Sequence, residues 1–236
     1  MVREALIRKG TEKHKKPSRM RDFILGWQDG LVNVLGIILG MATATSSAKL
    51  VLIAGLAATF AESVSMMAVA YTSFKAEADF YKSEMEREKC EMREVPDKER
   101  KEIQTIFHGW GFSGTLLAGI VRHVTSNKKR WLDMMMDYEL KLSPPKYSPL
   151  NIAVIVGISA LIGSLIPLAP FMFLPVGTAF WTSIAVSSVF LFIIGVYKAI
   201  TTAGKPLRSG LEMVTIGMLA AVIGYGIGAI LGAAIV

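Results

Sequence analysis

The sequence predicts an all-α, polytopic membrane protein with five transmembrane helices and a cytoplasmic helical domain inserted between the second and the third. Of its 236 residues, 52% are hydrophobic, and the apolar residues fall in five long blocks. Each block approaches the roughly 20 residues that cross a bilayer as a helix. The charged residues are concentrated instead in an N-terminal tail and in one central segment. The alternating pattern of an outer-membrane β-barrel is not visible.

Five spans follow from the apolar blocks and from the polar turns between them. The predicted spans are Phe23–Thr45, Leu50–Phe74, Leu150–Leu168, Pro175–Ile200 and Leu211–Val236. The chain is thereby divided into a basic tail at 1–21, two spans at 22–74, a charged domain at 75–148 and three further spans at 149–236.

The distribution of basic residues predicts how the spans are oriented. Residues 1–21 contain eight lysines and arginines against two glutamates, and the loop at 198–208 carries three bases. Loops rich in Lys and Arg stay in the cytoplasm, so we expect the tail, this loop and the domain at 75–148 to be cytoplasmic. The tail lacks the aromatic or glycine interleaving of a nucleic-acid-binding segment, so no nucleic-acid partner is predicted. No signal-peptide pattern is present, and a prokaryotic inner membrane or a vacuolar membrane fits the chain.

The charged domain is predicted to consist of helices. No turn signal separates Phe74 from Lys75, so we expect the second span to continue as a helix beyond the membrane. Val95-Pro96-Asp97 ends it, because proline opposes helix continuation and suits the first turn of a new helix. Further helices are expected to about Phe107, over Gly114–Val124 and over Lys128–Leu140, the last capped by Ser126 or Asn127.

Two intramembrane acids are the first candidate site. Asp29 and Glu62 lie in the first two spans, where an ionised side chain costs at least about 2.5–3.5 kcal/mol and usually serves an ion or proton path. Met66 follows Glu62 by four residues and shares its helix face. A carboxylate beside a thioether suits a borderline transition metal better than Ca²⁺ or Mg²⁺. Asn33 lies one turn beyond Asp29.

A second candidate site lies in the charged domain. Two pairs of glutamates, each three residues apart, flank the predicted helix break, and a methionine pair precedes a glutamate in the last helix. Like charges on one helix face repel, and a bound cation would relieve that repulsion. On spacing alone a solvated charged face and methionines in a core are favoured over metal binding for these residues. The candidate metal ligands are Glu88, Glu91, Glu99, Glu102, Met135, Met136 and Glu139.

The sequence contains no motif for nucleotide-driven transport or for catalysis. Walker, Rossmann, GxSxG and HExxH patterns are all missing from it. We therefore expect neither an enzyme nor a prosthetic group. The single cysteine, Cys90, excludes an internal disulfide framework and fits a reducing compartment. Cys90 lies between two of the glutamates, and its spacing leaves open whether it is an additional soft ligand.

The chain resembles the vacuolar iron transporter family in four segments that occur in the same order. These are RDFILGWQDGL, AGLAATFAESVSMMAVAY leading into FKAEADFYKSEMERE, PDKERKEI, and TSNKKRWLDMMMDYEL. The likeness runs from Arg21 to the C-terminus. Span one differs from the family pattern, because DGLVNVLGIILG lacks the proline of DGLTVPFALAAGL.

The resemblance implies a homodimer of five-span subunits, each with a cytoplasmic three-helix metal-binding domain, that exchanges Fe²⁺ for protons. It assigns the transport path to Asp29, Glu62 and Met66, and the metal ligands to the seven glutamates and methionines given above.

The expected function is a proton-coupled Fe²⁺ antiporter that exports ferrous iron from the cytoplasm into a vacuole-like compartment or out of the cell. Two alternatives remain open. The same architecture could carry Mn²⁺ or other divalent transition metals such as Co²⁺ and Zn²⁺, since ligand type alone does not separate neighbouring first-row metals. A membrane-anchored metal buffer or sensor would bind metal without transporting it.

Overall fold

The computed structural model describes residues 20–202 and 204–235, which form eight α-helices and no β-strand. The predicted basic tail lies almost wholly outside the described residues. The helices are α1 Met20–Ala44, α2 Ala48–Glu94, α3 Pro96–Gly109, α4 Gly114–Thr125, α5 Lys128–Met134, α6 Pro149–Phe173, α7 Val176–Thr202 and α8 Pro206–Ile235. A π-helical turn, Met135–Glu139, continues α5.

Five of these helices, α1, α2, α6, α7 and α8, are long and apolar enough to cross a membrane. The predicted all-α class and the five spans are therefore confirmed, and the chain is an integral membrane protein. α2 is 47 residues long, because its apolar part continues directly into a charged part. α6 runs beyond the predicted end at Leu168, with Pro167 and Pro170 inside it. Proline is tolerated within membrane helices because neighbouring groups satisfy the freed backbone.

The described chain folds as two compact units. One, called here the membrane unit, comprises residues up to 70 together with those from 150 onwards. The other, called the insert, comprises Tyr71–Pro149. α2 contributes its first half to the membrane unit and its second half to the insert.

In the membrane unit, α1 makes close backbone contacts with two other helices. Toward α6, a Cβ atom on Gly30 would lie 2.6 Å from the hydroxyl of Ser164. Toward α8, a Cβ on Gly40 would lie 2.8 Å from the carbonyl oxygen of Gly224. Small residues at four-residue spacing let membrane helices approach this closely. The glycines of α1 and α8 thus pack against each other within one subunit.

The core of the membrane unit is apolar, with a few buried hydroxyls that bond to backbone carbonyls of neighbouring helices. The Ser63 hydroxyl in α2 donates to the carbonyl of Gly157 in α6 at 2.8 Å, and Ser183 in α7 donates to Pro167 at 2.7 Å. Such bonds tie helices together where lipid and core are equally apolar. The main buried cluster is formed by Val34, Leu35, Ile38, Leu39, Val51, Leu168, Phe171, Ala179 and Ala221.

The insert has its own apolar core beneath its charged surface. Pro96 stands at the start of α3, as predicted. The Asn127 side chain caps α5 by accepting a hydrogen bond from the amide of Arg130 at 3.1 Å, whereas Ser113 makes no capping side-chain bond to α4. The buried core residues are Ile103, Phe107, Leu117, Val124, Trp131 and Met135.

The close contact between α1 and α8 gives a first prediction. A Cβ at Gly224 would overlap the carbonyl oxygen of Gly36, whereas a Cβ at Gly226, on the same helix, would meet nothing within 4 Å. Gly224→Ala should therefore lower the thermal stability of the detergent-solubilised protein, by about 1–3 kcal/mol as for other overpacked sites. Gly226→Ala is the matched control and should not. Equal stability of the two variants would contradict this packing.

Candidate metal centre

Five of the predicted glutamate ligands converge within the insert. Single carboxylate oxygens of Glu88, Glu91 and Glu99 all lie within 4.8 Å of one another, and the same holds for Glu99, Glu102 and Glu139. We call these sets the first and the second triad. They share Glu99. Three convergent oxygens are a suitable partial ligand set for a divalent cation, with water completing the coordination.

The local chain path explains why these glutamates meet. α2 ends at Glu94 and α3 begins at Pro96, so only Val95 separates the two helices. The glutamate pair near the end of α2 is therefore held beside the pair in the first turns of α3. The fifth carboxylate comes from the π-helical turn, which is closed by the Leu140 amide donating to the Met135 carbonyl at 3.1 Å. Turns of this type often occur at functional sites.

Glu88 and Glu99 are buried without full hydrogen-bond partners. Their relative exposures are 1% and 0%. Among the described residues, neither carboxylate oxygen of Glu99 has a hydrogen-bond partner, and neither does Oε2 of Glu88. A buried carboxylate that lacks hydrogen-bond partners is costly, so these groups need a proton or a cation.

The electrostatics of the triads favour a proton when no metal is bound. Burial, reinforced by Glu102 and Glu88, raises the pKa of Glu99 from 4.5 to about 7. Burial and the neighbouring carboxylates also raise the pKa values of Glu88 and Glu139 to about 7. Desolvation and like charges both disfavour the ionised form. A divalent cation would reverse this balance, because it binds the ionised carboxylates.

The two predicted methionine ligands are buried. Met135 is fully buried in the apolar core of the insert, in the same cluster as Ile103 and Trp131, which is the core-packing alternative that the sequence left open. Met136 has 3% exposure and lies in the same π-helical turn as Glu139. Their role as soft ligands remains a prediction.

The intramembrane acids also come together. The Glu62 side chain lies beside those of Asp29 and Asn33, so α1 and α2 supply one polar cluster. Asp29 and Glu62 are half-buried and Asn33 is exposed. Met66 is half-buried one turn from Glu62. Asn33, one turn beyond Asp29, was not among the predicted site residues, although an amide in an apolar helix is a visible signal in the sequence.

These features define a membrane protein that carries one acidic cluster among its spans and a larger one in a compact helical insert. Comparison with known proteins agrees. The VIT family model matches residues 20–229. The chain is 35% identical to vacuolar iron transporter 2 of Oryza sativa subsp. japonica, over 94% of this chain and 91% of the relative. It is 35% identical to vacuolar iron transporter 1 of Arabidopsis thaliana, over 92% and 88%.

A more distant relative is the protein CCC1 of Saccharomyces cerevisiae, which is 30% identical over 87% of this chain and 66% of its own length. The family match covers most of the chain. The chain therefore belongs to the VIT family, and the resemblance predicted from the sequence is confirmed.

The raised pKa values give a prediction about pH. With pKa values near 7 for Glu88, Glu99 and Glu139 in the folded protein and ordinary ones in the unfolded chain, the folded state holds extra protons between about pH 4.5 and 7. The unfolding free energy of the metal-free protein should therefore fall as pH rises through this window. Mn²⁺, which binds the ionised carboxylates, should stabilise the protein at pH 8 far more than at pH 5.

Thermal unfolding of the full-length protein at pH 5 and pH 8, with and without Mn²⁺, measures both effects. Replacing Glu88, Glu99 and Glu139 together by Gln should flatten the pH dependence, whereas Glu86→Gln, at an exposed residue paired with Lys89, should not. A metal-free protein whose carboxylate-dependent stability rises from pH 5 to pH 8 would refute the assignment.

Proposed function

We propose that this protein is a proton-coupled Fe²⁺ transporter that exports ferrous iron from the cytoplasm in exchange for protons. The observation that carries the proposal is the buried Glu99 carboxylate, which has no hydrogen-bond partner in the part of the chain that the structure describes and is shared by two carboxylate triads. Relatives that align over most of the chain are named vacuolar iron transporter. Iron is thereby the metal that the family membership favours.

The insert is proposed to collect metal. Its five converging carboxylates hold hard oxygen ligands in place before metal arrives, and Met135 and Met136 are the candidate soft ligands. A site of this kind raises the amount of metal held by the protein before transport. Oxygen ligands bind Mn²⁺ as well as Fe²⁺, so Mn²⁺ is a second candidate cargo.

The intramembrane cluster is proposed to couple metal to protons. Asp29 and Glu62 are neighbouring carboxyl groups that repel each other when both are ionised, so the pair is proposed to hold a proton when no metal is bound. Fe²⁺ arriving at this pair, with Met66 as a neighbouring ligand, would displace that proton. When metal leaves on the far side the acids take up protons again. Competition for the same oxygens thus links the two fluxes without a nucleotide.

The membrane and the assembly belong to the same proposal. The names of the relatives favour a vacuole-like membrane, and the basic segments favour a cytoplasmic insert by the positive-inside rule. The family resemblance further implies a homodimer. Asn33 lies exposed on the single subunit beside Glu62, and a second copy against α1 would cover it.

The proposal predicts Fe²⁺ uptake by liposomes that contain the purified protein, driven by an acidic interior. Asp29→Ala and Glu62→Ala should abolish the uptake, because each removes a carboxylate that both ions share. Glu212→Gln is the control, since Glu212 forms an exposed ion pair with Arg208 and should leave flux unchanged. Intravesicular Fe²⁺ and pH are recorded together.

A rate of Fe²⁺ uptake that does not change with the pH gradient would overturn the proposed coupling to protons. Wild-type protein that binds Fe²⁺ but moves none would overturn transport and leave a metal buffer. Faster uptake of Mn²⁺ than of Fe²⁺ under the same gradient would make Mn²⁺ the transported ion, and the proposed exchange for protons would stand.

A further inference from the structure

Each carboxylate triad of the insert is accompanied by a basic side chain of its own. The sequence repeats one pattern on the two sides of the helix break: a base, a glutamate, two further residues and a second glutamate. The pattern is Arg87-Glu88-x-x-Glu91 at the end of α2 and Lys98-Glu99-x-x-Glu102 at the start of α3. Both glutamates of each repeat belong to the same triad.

Lys98 contacts two members of the second triad. Its ammonium nitrogen lies 3.3 Å from Oε1 of Glu102 and 4.0 Å from Oε1 of Glu99. The Lys98 side chain is 63% exposed, while that of Glu99 is fully buried. The ammonium group therefore approaches the carboxylates from the solvent side, the side open to an arriving ion.

Arg87 contacts two members of the first triad in the same way. Its guanidinium nitrogens lie 3.6 Å from Oε1 of Glu91 and 3.9 Å from Oε1 of Glu88. A third contact, to Glu84 at 2.8 Å, anchors the guanidinium outside the triad. Arg87 is 52% exposed, so it too lies at the solvent edge.

Neither base completes the coordination of the buried carboxylates. Oε2 of Glu88 and both carboxylate oxygens of Glu99 remain without hydrogen-bond partners among the described residues. The side chains of Arg87 and Lys98 offset negative charge at the solvent edge of the triads. The innermost carboxylate oxygens stay available to a metal ion. A long flexible side chain in such a pair is easily displaced, because exposed ion pairs contribute at most about 1 kcal/mol.

We propose that Lys98 and Arg87 are counter-cations of the two metal triads, which an incoming divalent ion must displace, and that they set the affinity of the insert for metal. The inference rests on the proposed metal binding by the triads. Metal and base compete for the same carboxylates, so the bases lower the affinity and favour release of the ion. They are affinity-determining residues and not ligands.

The inference predicts a gain of binding when a charge is removed. A unit charge about 6 Å from a dication weakens its binding by about tenfold when the medium between them has a dielectric constant near that of water, as for a solvent-exposed side chain. Lys98→Gln should therefore bind Mn²⁺ about tenfold more tightly. Lys98→Arg, which keeps the charge, should stay close to the wild type. Arg87→Gln should also tighten binding.

The test is titration of the full-length protein with Mn²⁺, with the free ion measured by electron paramagnetic resonance at pH 7.5. All proteins carry Glu62→Gln, which removes one intramembrane carboxylate from the measurement. Lys101→Gln is the matched control, since Lys101 is exposed on the same helix and makes no ion pair within 4 Å to any residue that the structure describes. It should change the affinity less than twofold.

A double-mutant cycle separates displacement from a general effect of surface charge. On a Glu102→Gln background, which removes the closer partner of Lys98, the Lys98→Gln gain should shrink to about that of Lys101→Gln. Equal or weaker binding by Lys98→Gln, or a gain that persists without Glu102, would overturn the inference while the proposed function stands. A reference protein that binds no Mn²⁺ would overturn both.

Discussion

The burial of the Glu99 carboxylate, which has no hydrogen-bond partner among the described residues, governs the chemistry of the insert. Moving an ionised carboxylate out of water costs several kcal/mol even after relaxation, and no hydrogen bond from a described residue offsets this cost at Glu99. The group is stable only with a proton or a cation. Since Glu99 belongs to both triads, its state affects two clusters at once. Protons and metal therefore compete at the same atoms.

The rest of the insert holds this carboxylate in place. The single-residue connection at Val95 fixes the end of α2 beside the start of α3. The apolar core around Trp131 and Met135 holds the π-helical turn that supplies Glu139. In the membrane unit, close glycine contacts between α1 and α8 fix the helix that carries Asp29. In both units the acids lie on elements that packing holds rigid.

Much of this architecture could be predicted from the sequence, because hydropathy and helix-breaking residues are local signals. The five spans, the break before Pro96 and the cap at Asn127 were of this kind. The predicted end at Leu168 was too early, because α6 continues through Pro170 to Phe173 and a membrane helix tolerates proline. Residue spacing also singled out the glutamates as candidates.

The convergence of the five glutamates and the burial of Glu99 could not be predicted from residue spacing. Helical periodicity gave two glutamate pairs, but only tertiary structure brings Glu139 to Glu99 and buries the latter. The sequence did not decide whether Met135 packs in a core or binds metal, and the structure places it in the core cluster. The contacts of Lys98 with two triad members could not be predicted either, since they depend on the direction of the side chains. A residue's environment is decided by elements distant in sequence.

The most direct test of the shared carboxylate is to compare Mn²⁺ binding by the full-length protein in two variants, Glu99→Gln and Glu139→Gln. If Glu99 joins both triads, its replacement should abolish tight binding by the whole insert. Glu139→Gln should remove only the second triad and leave binding to Glu88 and Glu91 with Glu99. Undiminished binding by Glu99→Gln would contradict the account.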